Sequence, residues 1–367
     1  MVTRIDAVPL NVMLSIPQPA GSARIVSRNV IVRTVLRDGT VGYGEVALFA
    51  GITSESQRSS LAALRRIESS VHGSCGQMWC ELSRRIRALA PGLTATRCGV
   101  EQALLDAGAR RAELSLVRHL GGSPVPLTSN LTVLPGDIPH TLAAARAARR
   151  SGFSRIKIKA VGPWKLDVAR VRAVAAALPH SWLQVDAHGQ YSYDDARRFV
   201  DALDQAGVEL ALFEQPTPPS RPGDLVRLQR ETGAPICADE SIRGEGDLWR
   251  LVERGGIHAL NVKVMKFGVL ESMSLIEAAA AAGVRCMIGG MSETAVSTSF
   301  SAALAAARRH AVGYVDLDTP CFMPHLPMTG GIGYSRGRIV IPHDALGTGI
   351  DASALFPPAD RAGSQTS

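Results

Sequence analysis

The spacing of apolar residues changes rhythm once along this chain. Apolar and polar positions alternate from Val2 to Leu14, over 29–37 and, beyond an Asp38-Gly39 turn, from Val41 to Val46; this predicts a three-stranded antiparallel meander. Helical periodicity follows over 54–70, 78–90 and 97–113, with Pro91-Gly92 separating the last two. Strands followed by helices make residues 1–123 an α+β domain that precedes the rest of the chain.

Beyond it, short apolar runs recur at 127–133, 155–159, 182–186, 210–214, 235–239, 258–264, 284–289 and 312–317. All but the last are followed by an Ala/Leu/Arg-rich stretch of helical character. Strand and helix in strict succession give an α/β architecture, and eight runs with seven helices suit a modified (β/α)7β TIM barrel over 124–318. A doubly wound open sheet has the same local pattern. The barrel is favoured because nearly every run ends in a charged residue, at Lys157 and Lys159, Asp186, Glu214, Asp239, Lys263 and Asp316, as a catalytic rim would. Residues 319–352 then leave through Pro320, Pro324 and Pro327 into a short strand at 338–341, expected to return to the first domain; 353–367 is expected to fray.

Composition narrows the function classes. At 46% hydrophobic and 20% charged, the 367 residues are too apolar for a disordered chain. The longest apolar stretch, after Glu277, is broken by Arg285, and the first residues lack a basic-then-apolar leader, so a cytoplasmic protein with no membrane partner is expected. The net charge of +7 comes from arginines scattered over helix faces without interleaved aromatics, so no nucleic-acid partner is expected either. The six cysteines form no C-x-x-C pair and are read as free thiols. A homo-oligomer is compatible with the sequence.

Only five of the 40 basic residues are lysines, and four of them lie in two short runs, Arg155-Ile-Lys-Ile-Lys and Asn261-Val-Lys-Val-Met-Lys. Where arginine serves for general surface charge, lysine at a strand end offers what guanidinium cannot: a proton that can leave. Lys157 and Lys159 share a strand face, and two adjacent ammonium groups are expected to lower the proton affinity of at least one. Asp186, Glu214 and Asp239 close three successive strands and would repel one another unless a cation joined them. Mg²⁺ fits, because it takes a few carboxylates and leaves positions for water and substrate oxygens. Lys263, on the sixth strand, faces Lys159 on the second across the mouth. A carboxylate substrate between them could lose an α-proton to one lysine and gain one from the other on the opposite face, with the metal and Lys157 stabilising the ene-diolate.

These residues resemble the mandelate racemase and muconate lactonizing enzyme branch of the enolase superfamily over nearly the whole chain. The Lys-x-Lys at 157, Asp186-Ala-His-Gly-Gln, Phe213-Glu-Gln-Pro, Ala238-Asp-Glu-Ser and Asn261-x-Lys-x-Met-Lys match its muconate lactonizing subgroup in order and spacing. The resemblance implies a capping domain on the barrel, Mg²⁺ at Asp186, Glu214 and Asp239, and proton abstraction next to a carboxylate by Lys159 and Lys263. Tyr314-Val-Asp316-Leu-Asp318 is similar to the Asp-x-Asp motif of the dipeptide epimerases, of the L-Ala-D/L-Glu epimerase kind, where the acidic pair receives the substrate's free ammonium group. Met291-Ser-Glu293 looks like that group's substrate-contact loop, and residues 15–29 correspond to its specificity loop, where Arg24 could meet a substrate side chain. His188, Glu240 and Lys266 are expected to support the ligands from behind. His188 stands where the subgroup commonly has Asn, and Phe267 and Val269 flank Gly268 where small residues are usual, so a narrower pocket is expected there. Dipeptide epimerisation at the α-carbon of the C-terminal residue is the implied reaction. N-acylamino acid racemase, o-succinylbenzoate synthase or muconate cycloisomerase chemistry on the same scaffold, and a non-catalytic barrel, are the alternatives.

Overall fold

The computed structural model describes residues 1–18, 21–49, 51–323 and 325–356, with the side chains of all of these but 16–18, 21–25 and 77. Strands β1 (Val2–Gln18), β2 (Gly21–Leu36) and β3 (Val41–Val46) form an antiparallel sheet in that order. Pairing of β1 with β2 runs from Val2↔Leu36 to Gln18↔Gly21, so of the segment 15–29, expected as a loop, residues 15–18 and 21–29 are paired strand and 19–20 lie outside the described residues. Pro9 and Pro17 do not interrupt it, because β1 is an edge strand and a missing N–H there breaks no ladder.

Helices α1 (Gln57–Val71), α2 (Trp79–Leu89) and α3 (Thr94–Arg111) pack on this sheet, and α4 (Leu116–His119) leads out of it. The side chain of Ser56 caps α1 through the Ser59 N–H at 3.1 Å, while the Ser59 hydroxyl accepts from the Ser56 N–H at 2.8 Å. Helix α3 is buried on nearly all sides, and glycines let β3 approach it: a Cβ on Gly44 would lie 2.0 Å from the Gly99 carbonyl oxygen.

After β4 (Leu127–Thr128), the barrel strands are β5 (Leu131–Val133), β6 (Arg155–Lys159), β7 (Trp182–Asp186), β8 (Leu212–Glu214), β9 (Ile236–Ala238), β10 (Ala259–Val262), β11 (Arg285–Gly289) and β12 (Val312–Asp316). They form one parallel sheet in sequence order. Across the seam between its ends the Asn130 N–H reaches the Val315 carbonyl at 3.3 Å and the Thr132 N–H donates to Asp318 Oδ2 at 2.6 Å. Helices α5 (Ile138–Arg150), α6 (Trp164–Ala177), α7 (Tyr193–Asp204), α8 (Pro222–Thr232), α9 (Glu245–Glu253), α10 (Val264–Phe267), α11 (Val269–Ala281) and α12 (Ala295–Ala307) lie between the strands. Side-chain caps start several of them, Asp137 on α5 and Ser192 on α7 among them.

The run 127–133 is split: β4 joins β13 (Gly333–Ser335) and β14 (Arg338–Val340) in a small separate sheet, and only β5 enters the barrel. The chain then crosses to the N-terminal unit, where the Thr348 N–H donates to Asp106 Oδ1 at 2.6 Å and the Leu116 N–H to the Gly347 carbonyl at 2.7 Å. Fraying was expected from 353 onward, yet Phe356 is buried, its ring 4.3 Å from the Arg33 guanidinium carbon and 6.2 Å from the ring of Tyr43; residues 357–367 lie outside the described residues.

Inside the barrel, alternate strand positions stack in layers. The floor is apolar, with Leu212, Cys237, Ala259 and Met287 packed together and Trp182 and Tyr314 against them. One step up each strand the inner positions turn polar: Lys157, Gln184, Glu214, Asn261 and Asp316, all buried. All six cysteines are free, and no helix among the described residues is long and apolar enough to cross a membrane.

Candidate active site

Strand register brings the acidic and basic groups to one end of the barrel. Lys159 pairs with Asp186 and Asp186 with Glu214, so these three stand at one level on adjacent strands. Glu214 pairs with Cys237, which places Asp239 one inward step higher. Lys263 follows β10 directly, four strands around from Lys159.

Four ammonium groups organise the carboxylates. Lys157 Nζ lies 2.6 Å from Asp316 Oδ2, 2.7 Å from Glu214 Oε2 and 2.9 Å from Asp186 Oδ2. Lys263 Nζ is 2.6 Å from Asp239 Oδ2, and Lys266 Nζ is 2.7 Å from both Asp239 Oδ1 and the Asp239 carbonyl. Lys159 Nζ, more open than these, binds Asp186 Oδ2 at 2.6 Å.

Proton affinities follow from this arrangement. Burial opposes charge on Lys157, but the attraction of Asp186, Asp316 and Glu214 outweighs it and holds the ammonium well above the usual lysine range. Its three carboxylate neighbours thus decide the protonation of Lys157. Lys263 is likewise raised, burial being outweighed by Asp239 and Glu214. Burial would raise Asp186 and Asp239 too; two lysines on each carboxylate drive both well below the ordinary aspartate value. Glu214, with burial and the charge of Asp186 against it and Lys157 for it, is pushed up to about 7.

The oxygens able to hold a divalent ion are those of Asp186, Glu214 and Asp239. Among the described residues no three acidic, histidine or cysteine side chains stand ready around one point, because lysine ammonium groups occupy the space between these carboxylates. The donor chemistry nevertheless fits a hard cation. Seven carboxyl groups (Asp186, Glu214, Asp239, Glu240, Glu293, Asp316 and Asp318) gather at this end against four lysines, most of them buried, so the site carries a surplus of negative charge that a divalent ion would balance.

Asp316 and Asp318 are buried rather than rim-exposed. Asp316 Oδ2 is engaged by Lys157 and Asp318 Oδ2 by the Thr132 N–H at 2.6 Å, and the Thr132 side chain also bonds the Asp318 carboxyl. Burial first, then the charge of Asp316, pushes Asp318 up to about 6. Glu293 is buried too; its Oε2 accepts from the Met291 N–H, its Oε1 has no partner, and burial pushes it up to about 7. His188 donates or accepts at 2.7 Å from Lys159 Nζ and at 2.9 Å from Glu240 Oε1. The side chain of Arg24 lies outside the described side chains; its backbone pairs with Ser15. At Phe267 and Val269 the Phe267 carbonyl accepts from Arg97 and the Val269 N–H donates to Glu101, so this turn docks the barrel on α3, while the Phe267 ring lies 5.1 Å from Lys266 Nζ.

Several supporting residues carry no signal that sequence reasoning used. Asn261 Nδ2 donates to Glu214 Oε1 at 2.8 Å and Gln184 Nε2 to Glu214 Oε2 at 2.7 Å. Each lies two positions before a rim residue on the same inner face, and that spacing could have found them. Gln215 Oε1 accepts from the N–H groups of Asp239 and Ser241, fixing the loop that carries Asp239. The buried Glu45 of β3 accepts from the Thr294 and Ser297 N–H groups at 3.0 and 3.1 Å, while Asn29 Nδ2 reaches the Ser292 carbonyl at 2.8 Å. These bonds clamp the N-terminal unit onto the loop 291–294, and nothing local in the sequence announces them.

Comparison with known proteins agrees with this architecture. The family described as mandelate racemase / muconate lactonizing enzyme, N-terminal domain, matches residues 8–121, and the family described as enolase C-terminal domain-like matches residues 140–354. The aromatic dipeptide epimerase of Herpetosiphon aurantiacus is 35% identical over 352 residues, covering 95% of this chain and 98% of that protein. A mandelate racemase/muconate lactonizing protein structure from the same organism superposes with a TM-score of 0.90 at 34% identity, over 95% of this chain and 97% of that one. The Cytophaga hutchinsonii dipeptide epimerase, solved with Mg and the dipeptide D-Ala-L-Val, gives 0.88 at 27% identity, over 95% of each chain. The chain belongs to the enolase superfamily, in its mandelate racemase and muconate lactonizing enzyme branch.

Proposed function

We propose that this protein is a Mg²⁺-dependent dipeptide epimerase that inverts the α-carbon of the C-terminal residue, with 1–123 as a cap, 124–318 as the catalytic barrel and 319–352 as the segment returning to the cap. The observation that carries the reading is the pair of lysines across the barrel mouth, Lys159 and Lys263, each 2.6 Å from an aspartate on its own side of a three-carboxylate group. An α-proton beside a carboxylate is hard to remove, because negative charge accumulates on oxygens that already carry it. A divalent ion held by Asp186, Glu214 and Asp239 would supply Lewis-acid stabilisation of that charge. Lys157, buried and kept charged, adds a fixed positive group beneath the same carboxylates.

Lys159 removes the proton from one face and Lys263 delivers one to the other; for the opposite isomer the roles exchange. The carboxylates of Asp316 and Asp318 receive the substrate ammonium. Met291 and Glu293 border the substrate, and Glu240 and Lys266 hold His188 and Asp239 from behind. Relatives named for epimerising aromatic and hydrophobic dipeptides support the substrate class. The test is incubation with L-Ala-L-Phe and Mg²⁺ in D₂O, followed by chiral separation and mass spectrometry. The expected result is L-Ala-D-Phe carrying one deuterium, lost with chelator and restored by Mg²⁺. Racemisation of N-acetylphenylalanine as fast as any free dipeptide would replace this reading.

A further inference from the structure

His188 occupies a position that the chemistry of the site leaves unexplained. It follows the strand β7 at a left-handed φ of 47°, with its N–H bonded to Asp186 Oδ1 at 3.1 Å. Histidine is among the residues that tolerate this conformation, and the backbone bond to Asp186 fixes where the side chain starts. The ring then bridges two groups from different strands, Nδ1 to Glu240 Oε1 at 2.9 Å and Nε2 to Lys159 Nζ at 2.7 Å.

Donor and acceptor roles follow from the partners. An ionised carboxylate only accepts, so Nδ1 carries the hydrogen and donates to Glu240; Nε2 is left as an acceptor for an N–H of Lys159. Lys159 is thus held from two directions, by Asp186 and by an imidazole whose orientation Glu240 fixes. Lys263 differs in one respect: its carboxylate partner is shared with a second lysine, Lys266, just as Asp186 is shared with Lys157, but among the described residues no histidine touches it. The two sides of the mouth are built unequally.

We propose that His188 is a positioning residue for Lys159 alone, aiming its Nζ at one face of the substrate α-carbon, so that it governs proton transfer for one configuration and leaves the other to Lys263. The inference rests on the two-base reading above. A reacting atom displaced by a fraction of an ångström loses rate steeply, and a lysine with four rotatable bonds needs such a guide.

Deuterium exchange separates the two faces. Lys263→Ala leaves Lys159 as the working base and Lys159→Ala leaves Lys263, and each background is assayed in D₂O with L-Ala-L-Phe and L-Ala-D-Phe for label gained with retained configuration. His188→Asn, whose amide reaches only as far as the Nδ1 position, should lower exchange about tenfold or more in the Lys263→Ala background and by less than about twofold in the Lys159→Ala background. His188→Gln, which places an amide oxygen where Nε2 stood, should restore most of the loss. Mg²⁺ affinity, read by calorimetry on the same variants, should change less than exchange does, because the ring bonds Lys159 and Glu240 and not a proposed ligand. Equal loss in both backgrounds, loss in neither, or loss that tracks weakened Mg²⁺ binding overturns the proposal. If the two parent variants fail to exchange opposite diastereomers, the two-base reading falls instead, and the assignment of His188 falls with it.

Discussion

The floor and the rim of this barrel are built on the same strands, one inward position apart, and they are opposites. At the floor, Leu212, Cys237, Ala259 and Met287 form a dry plug closed by Trp182 and Tyr314. At the rim, Glu214, Asp186, Asp239 and four lysines are packed almost as deeply, and hydrogen bonds and ion pairs satisfy them in place of apolar contact. The floor gains stability from every atom it hides. Burial at the rim works against its charges, and Glu214 is held up to about 7 for that reason. At the level of Glu214, one inward step above the floor, stands a layer of amides: Asn130 donates to Gln184 at 3.1 Å, and Gln184 and Asn261 donate to Glu214 at 2.7 and 2.8 Å. That layer lets one strand change from core to chemistry within two residues.

If the rim is organised for charge rather than for stability, Glu214→Gln should have the largest effect on turnover and little on folding. Loss of a carboxylate ligand should lower kcat/KM by on the order of a hundredfold or more, with weaker Mg²⁺ binding in a calorimetric titration. The fold has room for the amide, since Asn261 Oδ1 is buried without a partner and can accept from the new NH₂ once the Asn261 amide turns over. Glu214 holds its proton more tightly folded than unfolded. The folded state therefore binds more protons between about pH 4.5 and 7, and this group's contribution to stability falls as pH rises through that window. In metal-free protein, Glu214→Gln should flatten that decline in thermal melts; a variant that unfolds at all pH values would show that the rim carries the fold after all.

The next effect in size concerns the ammonium site. Asp318→Asn should reduce kcat/KM for a free dipeptide by roughly ten- to a hundredfold, the range expected when a charge-assisted contact is lost. The same substitution should scarcely affect an N-acetylated substrate, which has no ammonium to place. Because Asp318 is pushed up to about 6, its charge develops as pH rises from 5 to 7, and KM for the free dipeptide should fall over that interval. A variant equally damaged toward both substrates would reassign Asp318 to holding the Thr132 N–H at the barrel seam.

How much of this was legible in the sequence divides along the same line. The barrel and its rim could be read because strand ends announce themselves: a charged residue after an apolar run cannot lie in the plug, and alternation places it on the inner face. Asp186, Glu214, Lys159 and Lys263 follow from that rule alone. What long-range contact decides was hidden. The strand pairing of 15–18 with 21–24 is one that this Pro- and Ser-rich sequence does not advertise. The run 127–133 breaks because β14, some two hundred residues later, claims its first half. Phe267 and Val269 serve the junction with α3, and Phe356 finds Tyr43 and Arg33 from the far end of the chain. The protonation of Lys157 belongs here too, since three carboxylates from other strands decide it.

The smallest expected effect on turnover tests the comparison from below. Leu212 lies two residues before Glu214, fully buried in the floor, so Leu212→Ala removes apolar contact directly beneath the proposed metal ligand. A cavity at such a position should cost roughly 2–5 kcal/mol of stability, measured by denaturant unfolding of metal-free protein. The fraction that remains folded should keep kcat within about twofold, because Glu214 takes its orientation from Gln184, Asn261 and Lys157 rather than from the plug. Those three partners come from three other strands, so relaxation of β8 toward the cavity is resisted at both carboxylate oxygens. A tenfold fall in kcat at full folding, accompanied by weaker Mg²⁺ binding, would mean that the floor sets the height of Glu214 and that stability and chemistry are not separable along this strand.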